Sequence, residues 1–397
     1  MKLLRQKIEQ EIRERGPIPF SRYMELCLYD PELGYYSRNA EQFGQAGDFY
    51  TSSDVHAVFG RLIARQFDEM WRALGSPKHI QLLELGPGRG LFAQDVLNWS
   101  EKKFPEFFCA LHYVLVESSP GLRHRIKETL RDHFASGKAV CISESEAFGD
   151  KKTGKGTTSV VPKDVPSASA LAPEVPSIAF ANEFFDAFPV EILSRKGCLR
   201  INARDGQFTE TWALSSAEEL EFLDRYSIHP EPDKRVEAPL AAQQFMERIA
   251  ATLHCGFIVA IDYGYTREEQ LAGRHRGTLK AIRQHSISAN PYEAPGEQDI
   301  TADVNFTALT AAAEKHGMHA YKLVTQSQFL MGIGEANQFA DAFEECRLPQ
   351  ERAKVALQLK HLVTPAGMGE SFQVLIASKG VDQEKLGSLS GLSFGRP

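Results

Sequence analysis

Apolar positions along the chain follow two rhythms. Leu4, Ile8 and Ile12 lie on one helical stripe, which predicts a helix over 3–15, and the pattern predicts a second over 20–29 across Gly16-Pro17. "YDPELGYYS" follows as a Pro/Gly turn, and "EQFGQAGDFYTSSD" (41–54) reads as a glycine-containing loop. Ser53 or Asp54 is placed to cap a helix starting near Val55, whose apolar face carries Val58, Ile63, Phe67, Met70 and Trp71. The rhythm then changes to short, continuous apolar runs: "HIQLLELG", "LHYVLVES" (111–118), "KAVCIS" (138–143), "SIAFANE" (177–183) and "GFIVAIDYG" (256–264). Helical segments 91–99 and 120–133 separate the first three. Strands that are apolar on both faces and alternate with helices predict an α/β fold, with a mostly parallel sheet covered on both sides.

Two stretches interrupt this pattern. Residues 151–177 are rich in Ser, Thr, Pro, Gly and Lys and read as a flexible surface insertion. Residues 193–214 alternate around Asp205-Gly206, a hairpin signal, and predict a lobe on the ligand-binding edge of the sheet. "HAYKLVTQ" (319–326) and "SFQVLIASK" (371–379) read as strands that need not be parallel, with a helical stretch of about 40 residues between them. The expected organisation is an N-terminal helical extension and loop over 1–54, a main domain over 55–380 and a tail over 381–397. The main domain carries insertions at 151–177, 193–250 and 327–368.

Composition narrows the function classes. Lys and Arg number 45 against 52 acids, a formal charge of −7, which argues against generic nucleic-acid binding. No apolar run approaches the roughly 18–20 residues of a membrane span. The six cysteines, at 27, 109, 141, 198, 255 and 346, include no CxxC pair, so neither a zinc knuckle nor a redox dithiol is expected, and no metal. "MKLLRQKIEQEIRERG" has no apolar h-region and carries Glu9, Glu11 and Glu14, so the expected compartment is the bacterial cytoplasm.

Candidate chemistry begins at "LLELGPGRG". Glu84, Gly86, Gly88 and Gly90 alternate, with Pro87 stiffening the turn. A dinucleotide fingerprint needs its third glycine one residue later, where Leu91 stands, and a P-loop needs a closing Gly-Lys-Ser/Thr. A ligand without phosphates suits the loop better, because glycines let the backbone approach it directly. S-adenosylmethionine is such a ligand. Glu117 ends the second apolar run, followed by Ser118, and can accept both hydroxyls of a ribose. Glu84 can bond to the loop's own amides or reach the ligand's ammonium through water.

"LLELGPGRG" and "VLVESSP" together resemble class I S-adenosylmethionine-dependent methyltransferases. "GPIPFSRYMELCLYDPELGYYS", "GDFYTSSD", "ANEFFDAFPVE" and "GEQDITADVNF" narrow the resemblance to the MidA-like family, from about residue 10 to 380. That family includes a mitochondrial complex I assembly factor that methylates a protein arginine, together with many bacterial relatives. The resemblance implies a Rossmann-like sheet of seven strands, the last antiparallel, with an N-terminal helical extension and an inserted lobe. It also implies a protein substrate such as a respiratory complex subunit, and it places Asp48 and Thr51 over the cofactor. Tyr35 and Tyr36 are candidates for the acceptor entrance. Relatives usually carry histidine where this chain has Asp303, and aspartate at Asn305.

The acceptor is expected beside "ANEFFDAFPVE". Asn182 and Glu183 close the fourth strand, and Asp186 follows three residues on, facing the same side of a tight turn. Two carboxylates can hold a guanidinium bidentately and aim one nitrogen at the methyl. Phe184, Phe185 and Phe188 are placed to wall the methyl path or to pack as core. Asp262, Tyr263 and His285 are further candidates near the acceptor. Arginine leads among acceptors. A small-molecule methyltransferase and a non-catalytic assembly factor that binds the cofactor remain open alternatives, as do monomer and homodimer.

Overall fold

The computed structural model describes residues 2–37, 57–149, 175–283, 286–288 and 290–394. The loop 41–54, with Asp48 and Thr51, most of the expected insertion 151–177, and His285 lie outside them.

Helices α1 (Lys2–Arg15) and α2 (Phe20–Tyr29) open the chain, and α3 (Ala57–Ala73) leads into the sheet. The alternating part runs β1 (Ile80–Leu85), α4 (Leu91–Lys103), β2 (Leu111–Val116), α5 (Pro120–Thr129), β3 (Ala139–Ile142) and β4 (Ser177–Asn182). After an inserted lobe come α6 (Leu240–Thr252) and β5 (Gly256–Tyr265), then α7 (Phe306–Glu314) and finally β6 (Phe372–Lys379). The order across the sheet is β3-β2-β1-β4-β5-β6; the first five are parallel and β6 runs antiparallel to β5. The expected strand over 319–326 is broken. Only His319–Ala320 and Val324–Thr325 pair with β6, both antiparallel. With Val304–Asn305 beside β5, the described sheet has nine strands, three of them two residues long.

Both faces of the sheet are buried, as the unbroken apolar runs require. Leu82, Phe180 and Phe257 face a core that includes Phe67 of α3 and Phe92 of α4. Their neighbours Leu83, Ala179 and Ile258 face the opposite core with Phe245 of α6 and Leu309 of α7. Phe92 stacks on Phe180 at 4.6 Å between ring centroids, which fixes the helix after the glycine loop against the centre of the sheet. The expected helix over 120–133 divides at Leu130. Leu130 is buried, with a φ of −106° outside the helical range.

The hairpin pairs Gly197–Arg204 with Gln207–Ala213 in the expected register, Arg204 opposite Gln207. Asp205 and Gly206 both have positive φ, 51° and 74°, the geometry of a two-residue turn that matches strand twist. The lobe also pairs with the N-terminal extension, since Ile18–Pro19 adds antiparallel to Ile201–Arg200. That pairing, together with Leu4, Tyr23 and Leu199 in one core, docks α1 and α2 above the carboxyl ends of the parallel strands. A roof thus stands over the edge where open α/β sheets bind ligands.

Candidate functional site

A cavity of about 840 Å3 opens at the carboxyl ends of β1, β2 and β4. It falls within the range of small-molecule sites. Its floor is the glycine loop. Gly86, Gly88 and Gly90 all have positive φ, 64°, 54° and 77°, so each alternate position needs a residue without a β-carbon. A β-carbon at Gly86 would lie 2.7 Å from the Phe184 ring, whereas one at Gly88 would meet nothing within 4 Å. Gly90 caps α4, and a β-carbon there would lie 3.5 Å from Leu130 and 3.6 Å from Ile126, at the end of α5. The loop is anchored to the next strand by the Gly86 amide, which donates to the Val116 carbonyl.

Glu117 stands at the end of β2, where its amide donates to the Ile142 carbonyl and its Oε1 accepts the Ser119 amide at 2.8 Å. Ser118 lines the cavity beside it. Burial pushes the Glu117 carboxyl up to about 7, while the amides of Ser119 and Ser118 hold it from rising further. Glu84 does not bond to the loop's amides. Its Oε2 instead accepts the Tyr113 hydroxyl at 2.9 Å, because both side chains lie on the same buried face of neighbouring strands. Burial raises Glu84 to about 8, with the Tyr113 bond opposing.

"ANEFFDAFPVE" forms a tight turn after β4, built around Asp262 of β5. Oδ2 of Asp262 accepts the amides of Phe184, Phe185 and Asp186 at 3.1, 3.0 and 3.3 Å. Asp262 is 1 % exposed and is not among the residues lining the cavity. Its carboxylate fills the inside of the turn, and burial with Asp186 and Glu183 nearby raises its pKa strongly. The turn holds Glu183 at φ 49°, a left-handed conformation unusual for glutamate.

Glu183, Asp186, Asn182, Phe184 and Phe188 line the cavity together. Phe185 does not. It is buried, with its ring beside those of Phe188 and Phe245. Asn182 Nδ2 donates to Glu183 Oε1 at 3.2 Å, and Asn182 Oδ1 is buried with no hydrogen-bond partner among the described residues. Asp186 accepts a short hydrogen bond from the Tyr263 hydroxyl, and burial lifts its carboxyl to about 6 against the pull of that bond.

The roof supplies residues that the sequence reading did not single out. Tyr29 and Arg22 of α2 line the cavity with Tyr35, Tyr36 and Asp299. The Tyr36 hydroxyl donates to Asp299 Oδ1 at 3.0 Å, and the Tyr29 hydroxyl donates to the Ala187 carbonyl at 2.9 Å. Arg22 is held by Glu11 and Glu25. An acid in the "GEQDITADVNF" stretch was the available signal for Asp299, which begins the short strand Asp299–Thr301. Asp303 and Asn305, where the resemblance led us to expect histidine and aspartate, lie away from the cavity. Asn305 caps α7 through the Ala308 amide, and Asp303 accepts Lys280 and His275.

The residues present fit S-adenosylmethionine. Three left-handed glycines leave the backbone open to it, the half-buried Glu117 carboxylate at the cavity wall can accept ribose hydroxyls, and the orphaned Asn182 oxygen leaves room for a polar partner. Fold and cavity together define a class I S-adenosylmethionine-dependent methyltransferase. The model of the family described as "Putative S-adenosyl-L-methionine-dependent methyltransferase" matches residues 62–324, and the chain belongs to that family, the MidA-like methyltransferases. It is similar to the mitochondrial protein arginine methyltransferase NDUFAF7 homolog of Drosophila melanogaster, 29% identical over 95% of this chain and 85% of the relative. It is also similar to mitochondrial protein arginine methyltransferase NDUFAF7 of Homo sapiens, 27% identical over 91% of this chain and 80% of the relative. A crystal structure from Burkholderia thailandensis with bound S-adenosyl-homocysteine superposes with a TM-score of 0.79 at 27% identity, covering 99% of this chain and 95% of that one.

Cofactor affinity is expected to depend on pH. Glu117 accepts ribose hydroxyls best when ionised and titrates at about 7 without ligand. Affinity for S-adenosylhomocysteine is therefore expected to climb up to about tenfold per unit as pH rises towards 7, and to slow its climb above it. Glu84, at about 8, adds a later and separate step. Isothermal titration at stepped pH checks this, and Glu117→Gln should lose the first step alone.

Proposed function

We propose that this methyltransferase acts on an arginine side chain of a protein. The observation that carries the reading is the charge of the cavity's acceptor half. Glu183, Asp186 and Asp299 line it, with Glu25 near Arg22. Arg22 is already held by Glu11 and Glu25. An excess of carboxylates in a part-buried site selects a cation, and a guanidinium stays charged at any working pH. The rings of Tyr29 and Tyr36, 5.5 Å apart, offer flat faces against which a guanidinium plane can lie. The names of the curated relatives support the same acceptor.

The bound cofactor supplies an electrophilic methyl on a positive sulfur. The chain's own residues then do the positioning. Glu183 and Asp186 hold the guanidinium through charge-assisted hydrogen bonds and point one nitrogen at the methyl. As the nitrogen bonds to carbon, the C–S electron pair stays with sulfur, and the nitrogen gives its surplus proton to a neighbouring carboxylate and then to water. Phe184 and Phe188 keep water off the line of transfer.

Mass spectrometry of the proteome with and without the gene tests this. Loss of a methyl-arginine site from a protein, with respiratory complex subunits read first, is the expected result. An unchanged methyl-arginine inventory, together with a lost methyl on a small molecule, overturns the acceptor while leaving the methyltransferase class intact.

A further inference from the structure

We infer that Asp303, Lys280 and Tyr263 form a relay behind the cavity that seats Asp186 for the acceptor, with Asp303 and Lys280 as positioning residues. The inference rests on the reading of Asp186 as an acceptor-holding acid.

Tyr263 has two faces of contact. Its hydroxyl bonds to Asp186 inside the cavity. Its ring carries the Lys280 ammonium, 5.0 Å from the centroid, on the other side. There a second cleft of about 450 Å3 is lined by Tyr263, Lys280, His275 and Asp303 among others. Lys280 does not reach the ring by chance of rotamer. Asp303 Oδ1 accepts its Nζ at 2.9 Å, and Oδ2 is met by His275 Nδ1 at 3.0 Å. The Asp303 side chain is 12% exposed, so the ion pair is shielded from water more than a surface pair would be. Asp303 is itself placed by its amide, which donates to Thr278 Oγ1 at 3.2 Å. His275 is stacked on Tyr265 at 5.2 Å. The cluster is thus built on both sides.

A cation on the Tyr263 ring polarises the phenol and strengthens its bond to a carboxylate. Asp186 needs that help. From β5 it faces Asp262 as well as Tyr263. Glu183 shares its turn, Asp299 lines the same cavity, and Tyr29 and Tyr36 sit close enough to feel its charge. The Tyr263 hydroxyl and the amides of Asp186 and Ala187 favour its charged form; desolvation, first, and the neighbouring carboxylates disfavour it. Lys280 is the cation that opposes them, and it lowers the Asp186 pKa from outside the cavity.

The test follows the Asp186 carboxyl in the purified full chain by NMR with carboxyl-13C aspartate, its signal identified by its loss in Asp186→Asn. Lys280→Met is expected to raise the Asp186 midpoint by on the order of one pH unit. Lys280→Arg, which keeps the cation, should restore it, and Asp303→Asn should move it in the same direction by less. S-adenosylhomocysteine binding by isothermal titration should stay unchanged in all three, which reports an intact fold. A Lys280→Met midpoint equal to that of the unaltered chain overturns the relay. Undiminished methyl-arginine in cells carrying Asp186→Asn overturns instead the acceptor role of Asp186, so the two failures are told apart.

Discussion

Alanine at position 117 is expected to weaken S-adenosylhomocysteine binding about a hundredfold, because two hydrogen bonds to a charged group, each worth about 1.5–3 kcal/mol, are replaced by water. Isothermal titration measures it. The same substitution should not harm the fold. Glu117 is half-buried, and desolvation pushes its carboxyl up to about 7, above the ordinary carboxylate value. A group raised in this way contributes stability that is fully present below its unfolded pKa and lost as pH rises through its folded one. Removing it should therefore flatten the decline in melting temperature of the ligand-free protein between about pH 5 and about pH 8. A variant that binds as tightly as the unaltered chain would show that the ribose lies elsewhere.

Asparagine at position 186 is expected to reduce methyl transfer by about 10²–10³-fold while leaving S-adenosylhomocysteine binding in place. The side chain keeps its size, and its oxygen can still accept the Tyr263 hydroxyl, so the turn should hold. What is lost is the charge that balances a guanidinium and takes up its proton. The measurement is methyl-arginine produced in a deletion strain carrying the variant, set beside titration of the pure protein with S-adenosylhomocysteine. Weakened cofactor binding with normal turnover per bound cofactor would place Asp186 on the donor side instead.

These two carboxylates differ in how far the sequence revealed them. Glu117 was legible because it ends an apolar run directly before a helix, at the known ligand edge of a parallel sheet. Asp186 was legible as a candidate, and its spacing from Glu183 placed both acids on one side of a turn. Asp262 shows where such reasoning stops. An acid at the end of a central strand suggested a substrate contact, yet it binds three backbone amides inside the turn. Nothing in linear order distinguishes a carboxylate that meets a ligand from one that meets the chain. Phe185 shows the same limit among aromatics, since Phe184 and Phe188 line the cavity while Phe185 is core.

The amino-acid sequence by itself determined the local and periodic properties. Doubly apolar runs between helices specified a covered parallel sheet, and alternate glycines specified a left-handed loop fit for a phosphate-free ligand. An Asp-Gly pair specified the hairpin turn. Each depends on residues within a few positions of one another, where backbone sterics and the hydrophobic period act directly. Only the tertiary structure decided that Ile18–Pro19 pairs with the lobe and brings Tyr29 over the cavity. The same holds for Tyr36 meeting Asp299, and for Lys280 and Asp303 standing behind Tyr263. Tyr36 and Asp299 are 263 residues apart in sequence. Whether such groups meet depends on how whole layers pack, and that is set by the summed burial of several cores rather than by any short pattern.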